Sequence, residues 1–178
     1  MGGVYRLTLA VAARSLHGMT DEALRKQLHE LLESAHAHAT FDQAIEGVPA
    51  DKRGERVAGQ PHTLWRLLEH LRLATWDILE FSRRADHVSP AWPDGYWPPT
   101  DAPPDDAAWE RSVAAVRADV AAFAALIDDP AHDLVAPFPW GDGQTLLREA
   151  LLIADHNAYH VGQMVLLRQL LGIWPPSS

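Results

Sequence analysis

Residues 146–171 read LLREALLIADHNAYHVGQMVLLRQLL, a run without proline in which Leu146, Glu149, Ile153, His156, His160, Met164, Leu167 and Leu171 recur at steps of three and four. Such steps place all of these side chains on one face of an α-helix. Gly141-Asp142-Gly143 precedes the run, and Gly172 with Pro175 and Pro176 closes it, so a helix is expected over about 144–171. Three further proline-free segments share this period. The first, about 20–46, has Thr20 as a candidate N-cap before Asp21 and Glu22, and carries Leu24, Leu28, Leu31, Ala35, His38, Asp42 and Ile45 along one seam. The second, about 62–84, presents Leu64, Leu67, Leu71, Ala74 and Ile78, and the third, about 105–127, presents Trp109, Val113, Val116, Val120, Phe123 and Ile127. Strand-like alternation is nearly absent. The expected class is all-α, a four-helix bundle forming one domain over 1–178, with 1–17 as an N-terminal extension.

The connection between the second and third helices is Pro-rich, holding six of the thirteen prolines over about 86–104. At about 3.1 Å per residue in an extended proline-rich conformation it can run the length of a helix, which permits the two flanking helices to lie parallel.

Composition narrows the function. The chain has 178 residues, 15 Lys plus Arg against 24 Asp plus Glu, and a net charge of −9, which argues against an electrostatic grip on nucleic acid or anionic membranes. The apolar run Leu7–Ala13 after Arg6 is too short for a secretory leader, and no stretch is long enough to span a bilayer, so a cytoplasmic protein is expected. Arg6 stands where a myristoylation signal following Gly2 wants Ser or Thr. No cysteine is present, which removes disulfides, thiolate metal sites and a protein thiol nucleophile together. Ten histidines remain to be explained, and imidazole is the commonest metal ligand.

His156 and His160 lie four apart, one helical turn, a suitable bite for one ion. Spacing alone says little, since chance gives roughly 0.5 such pairs in a chain this rich in histidine. Orientation says more, because both rings fall in the apolar stripe where an unpaired polar group costs on the order of 1–3 kcal/mol. His70, beside Leu67 and Ala74 on the second helix, can turn inward to join them; hydrogen bonding without a metal remains the competing explanation.

The stretch from Pro61-His62-Thr63-Leu64-Trp65-Arg66 through Glu69-His70-Leu71-Arg72, then Trp140-Gly141, then His156-Asn157-Ala158-Tyr159-His160-Val161-Gly162-Gln163, resembles the DinB-like (DinB/YfiT) family of candidate metalloenzymes. The resemblance covers most of the chain. It implies an up-down-down-up bundle and one divalent metal held by His70, His156 and His160. It also implies a homodimer, and relatives that include S-transferases using low-molecular-weight thiols such as bacillithiol and a mycothiol-dependent maleylpyruvate isomerase. Three neutral imidazoles leave a coordination position open, the catalytic rather than the structural pattern for zinc. Zinc or nickel suits such a site, with iron and manganese as further candidates. The expected chemistry is activation of water or an external thiol against a small-molecule electrophile. The alternative is a non-catalytic bundle in which the ion only ties helices together.

Other metal chemistries fit poorly. A His-Glu-x-x-His protease needs Glu where Asn157 stands, and a di-iron bundle needs two Glu-x-x-His motifs where Glu33-x-x-His36 supplies one. His38 and Asp42, four apart in the first seam, are candidates for a general base beside the ion or for a buried pair that fixes helix register. Glu149 is expected as a salt-bridging or rim residue and Glu69 as a surface charge. His17, His29, His87 and His132 are expected in solvent, and His62 at the start of the second helix. Trp92, Trp97 and Trp140 fall in loops, at a pocket mouth or plugging the bundle ends.

Overall fold

Thr40 and Gln43 decide how the first segment folds. The Thr40 hydroxyl accepts from the Gln43 backbone N–H, and the Gln43 side chain accepts from the Thr40 N–H, a reciprocal cap that starts a helix rather than continuing one. In the computed structural model, which describes residues 21–33 and 37–175, the expected helix over 20–46 is therefore divided: α1 covers 21–33, residues 37–40 are not helical, and α2 is Phe41–Ile45. The expected extension over 1–17, the Thr20 cap and positions Ala35 and His36 lie outside the described residues.

The three remaining helices match their sequence signals to within about two residues. Thr63, Asp105 and Thr145 each accept from the backbone N–H three positions on, and they open α3 (Leu64–Arg83), α4 (Asp106–Asp128) and α5 (Leu146–Leu170). At the far end of α5, Gly172 takes φ 71° and the Ile173 N–H returns to the Arg168 carbonyl at 2.9 Å, the closure expected of that glycine. The described residues hold no strand, and a lone bridge between Pro137 and Thr145 sets the entry to α5. No helix among them is long and apolar enough to cross a membrane.

Four main helices pack together around two apolar clusters. One joins Ala44, Ile45 and Val48 to Leu64, Leu67, Leu68 and Leu71 of α3, Trp109, Val113 and Val116 of α4, and Val161, Met164 and Leu167 of α5. The other joins Leu28 to Ile78 and Leu79, Phe123 and Ile127, and Leu146, Ala150 and Ile153. Enclosing a side chain such as Phe123 or Ile127 contributes about 1.5–3 kcal/mol. Arg25 on α1 donates to the carbonyls of Ile127, Asp129 and His132, tying α1 to the last turn of α4 and to the turn that follows it.

The connection between α3 and α4 is docked onto the start of α3. Thr63 Oγ1 donates to the Asp101 carbonyl at 2.6 Å, Arg66 Nη1 donates to the Pro98 carbonyl at 3.0 Å, and Arg56 pairs with Asp101 at 2.6 Å. Gly54 lies so close to this connection that a Cβ added there would stand 2.3 Å from Ala102 Cβ. This docking lays residues 96 and 97 beside His70.

Candidate metal centre

His70 follows Leu67 and precedes Leu71 on α3, and it is 4% exposed because its helix face is the core face. His156 and His160 follow Ile153 on α5 by the same rule; His160 is 7% exposed and His156 half-buried. The packing of α3 against α5 brings the three rings together, with centroids 4.9 Å apart for His70 and His156, 4.5 Å for His70 and His160, and 4.5 Å for His156 and His160. Their ligand nitrogens all lie within 4.8 Å of one another, and this is the histidine and carboxylate grouping suited to a metal among the described residues.

The Nδ1 atoms explain which nitrogens face inward. His70 Nδ1 lies 2.9 Å from the Tyr96 carbonyl, which can only accept, so the ring proton sits on Nδ1. His160 Nδ1 donates to Gln163 Oε1 at 2.7 Å, and His156 Nδ1 lies 3.3 Å from Asn157 Oδ1, which also accepts from Thr75 Oγ1 at 3.4 Å. His70 and His160 thereby keep an unprotonated Nε2, and His156 does so in the tautomer that donates to Asn157, as ligating histidines do.

The His70 and His156 Nε2 atoms are 3.0 Å apart. With its proton on Nε2, His156 donates a hydrogen bond to His70; with both protons on Nδ1, two nitrogen lone pairs at that distance repel unless a cation lies between them. A proton is disfavoured, because burial pushes His70 down to about 4 and lowers His156 as well. Burial likewise pushes His160 down to about 4, with His156 adding to it. Two nitrogens each about 2.0–2.1 Å from one zinc ion stand about 3.0–3.4 Å apart, so the pair fits a divalent metal.

Aromatic rings fix the surroundings. Trp97 lies flat on His70, with centroids 3.9 Å apart and planes within 1°, and His62 stacks on Trp97 at 4.0 Å. Tyr159 meets His160 edge-on at 5.0 Å and accepts at its hydroxyl from Gln163 Nε2. Of the loop tryptophans, Trp97 therefore packs at the centre, Trp140 stacks on Phe138, and Trp92 is exposed.

Several expectations are corrected. His38 and Asp42 do not face the interior as an i, i+4 pair, because the chain restarts at Thr40 between them. Both are exposed; His38 Nδ1 donates to the Ala39 carbonyl at 2.8 Å, and Asp42 pairs with Arg117 at 2.8 Å. They line a groove of about 730 Å³ with Val116, Val120 and Asn157, and none of the three clustered histidines is among its lining residues. Glu69 is buried rather than superficial. Burial opposes its ionisation, but bonds from Arg72 and Ser112 outweigh this and hold its carboxyl below the usual range. Glu149 pairs with Arg148 as expected but is 2% exposed, and burial raises its pKa. His87 is not in solvent: its ring is enclosed and bonds Asp77 at 2.7 Å. His29 bridges Glu33 and Asp128 on the surface.

Tyr96, His62, Asn157 and Gln163 were not expected at the site, and Trp97 was expected at a pocket mouth or a bundle end rather than on His70. Gln163, three residues after His160, was available from helical spacing; a backbone carbonyl in a loop leaves no such mark.

The family model described as the DinB superfamily matches residues 7–164. The chain belongs to the DinB superfamily. No curated protein and no solved structure matches it. Among the described residues of this DinB-superfamily chain, the centre is a buried three-histidine cluster consistent with a metal site.

Proposed function

We propose that His70, His156 and His160 hold one divalent metal ion, zinc or nickel before iron or manganese, in an enzyme that acts on a small-molecule electrophile with water or a low-molecular-weight thiol. One observation carries the reading: three imidazoles have their Nδ1 atoms tied to oxygens, the Nε2 atoms of His70 and His156 face each other at 3.0 Å, and a ring nitrogen of His160 lies within 4.8 Å of both. An ion held there supplies Lewis acidity toward water or a thiol. The protein's own part is to keep the rings neutral by burial and to leave His156 partly open to solvent. A thiol has to come with a cosubstrate, since the chain contains no cysteine.

Within this reading the helix order is up-down-down-up in a single domain. Ser112 on Glu69 and the shared cluster of Ile78 with Phe123 support α3 and α4 running side by side in one direction. A cytoplasmic homodimer is part of the same proposal, supported by the exposed Tyr159, Leu166 and Leu170 on α5. A second reading has the ion purely structural, tying α3 to α5, and the near-complete burial of His70 and His160 favours it.

Metal analysis of the purified protein tests the site: one ion per chain is expected, falling toward none in His70→Ala, His156→Ala and His160→Ala. A thermal melt with chelator then separates the readings. A modest drop with the fold retained supports the enzyme, and collapse supports the structural ion. A screen with small thiols and electrophiles, lost in His156→Ala, completes the test.

A further inference from the structure

We propose that Asp77 and Tyr96 are positioning residues for His70, acting through the main chain of the loop between α3 and α4; this rests on the metal reading above. Asp77 lies two turns beyond His70 on α3, about 10 Å along the axis, too far to touch an ion held by His70. It is nevertheless 9% exposed, and both of its oxygens are used. His87 Nε2 donates to Oδ1 at 2.7 Å and the Tyr96 hydroxyl donates to Oδ2 at 2.6 Å.

Both donors belong to the loop. Between them the Gly95 N–H returns to the Ala91 carbonyl at 2.7 Å, and residues Asp94–Tyr96 form a single 3-10 turn. Gly95 is pressed against Pro90, where an added Cβ would stand 2.8 Å from Pro90 Cβ. The segment is thus closed on itself and pinned to α3 by Asp77.

Tyr96 meets α3 twice. Its phenol bonds Asp77, and its carbonyl accepts the His70 Nδ1 proton at 2.9 Å. The next residue, Trp97, covers the His70 ring. Fixing the phenol fixes the carbonyl, which selects the tautomer that leaves Nε2 free, and it fixes the indole, which sets the ring's tilt. Histidine ligands depend on such outer partners. In this protein the partner is a backbone oxygen, so its placement falls to the side chains that hold the loop.

Tyr96→Phe removes one oxygen atom while leaving the carbonyl and the ring, and Asp77→Asn keeps one acceptor oxygen on the same frame. Zinc titration should show Tyr96→Phe binding about tenfold more weakly than the parent, with Asp77→Asn between them. The absorption spectrum of the cobalt(II)-loaded protein should change in both variants. In the metal-free protein, ¹⁵N signals of His70 should show the Nδ1–H tautomer in the parent and a mixture in Tyr96→Phe. Weakened zinc binding with an unchanged tautomer and cobalt spectrum would mean a merely structural role and overturn the proposal, as would unchanged zinc binding. If Tyr96→Phe does not fold, Asp77→Asn decides by the same three measurements. A parent that takes up no zinc would overturn the metal reading itself, an outcome distinct from a zinc-binding parent with unaltered variants.

Discussion

Burial moves the three clustered imidazoles in one direction, toward the neutral form. His70 and His160 are pushed down to about 4, and His156 is lowered too. In the unfolded chain each titrates near the ordinary value of about 6.5. Between these values the unfolded state binds protons that the folded, metal-free protein refuses. The histidine contribution to stability is therefore complete above about pH 6.5 and is lost as the pH falls toward 4. Thermal unfolding without metal should show the midpoint dropping over that interval. The drop should be shallower in His160→Gln, which isolates the imidazole from the carboxylates that titrate nearby; identical profiles would refute this assignment. At this scale the sequence was informative where a residue's helix position settles its surroundings. His70, His156 and His160 sit in apolar stripes, and the stripes face the core. It was uninformative where a partner comes from a loop: nothing near Tyr96 or Trp97 announces that their carbonyl and indole rest on His70. His87 belongs with them, since its partner Asp77 is on another element.

Among the elements, α3, α4 and α5 were readable because caps, periodicity and proline punctuation agree at their ends. The first segment misled because its apolar spacing continues through Thr40 even though the backbone does not. Thr40-x-x-Gln43 is itself a helix-start signal, and local hydrogen bonding there outweighed the longer pattern. His38 and Asp42 lost their expected role with that break. Loop docking offers a second prediction. Gly54→Ala places a methyl group against Ala102 Cβ, and neither side chain can rotate away, so the segments must part. A loss of about 1–3 kcal/mol is expected by urea unfolding. An unaltered midpoint would show that the loop is not held where Thr63, Arg66 and Arg56 place it.

For the molecule as a whole, Arg168 carries an unusual share of the assembly. It is fully buried on α5, yet it donates to the carbonyls of Gln43 and Ala44 at 3.0 and 2.8 Å and to that of Ile173 at 3.1 Å, with its guanidinium over Trp174. One side chain thus joins α2, α5 and the segment after it. Burial lowers its pKa, and the charge of Glu46 offsets this only in part. Arg168→Leu should cost about 3 kcal/mol, since three carbonyls lose their donor at once. The loss is measured by denaturant unfolding, and a neutral result would mean that water replaces the guanidinium. The three-histidine cluster also spans the assembly, with one ring on α3 and two on α5. During synthesis the ribosome delivers His70 long before His156 and His160, and a lone imidazole is a poor trap for any cation. Under the proposed metal reading, loading awaits translation of residues 146–170, and a nascent chain that has emerged only as far as α3 lacks the grouping that would capture a wrong metal.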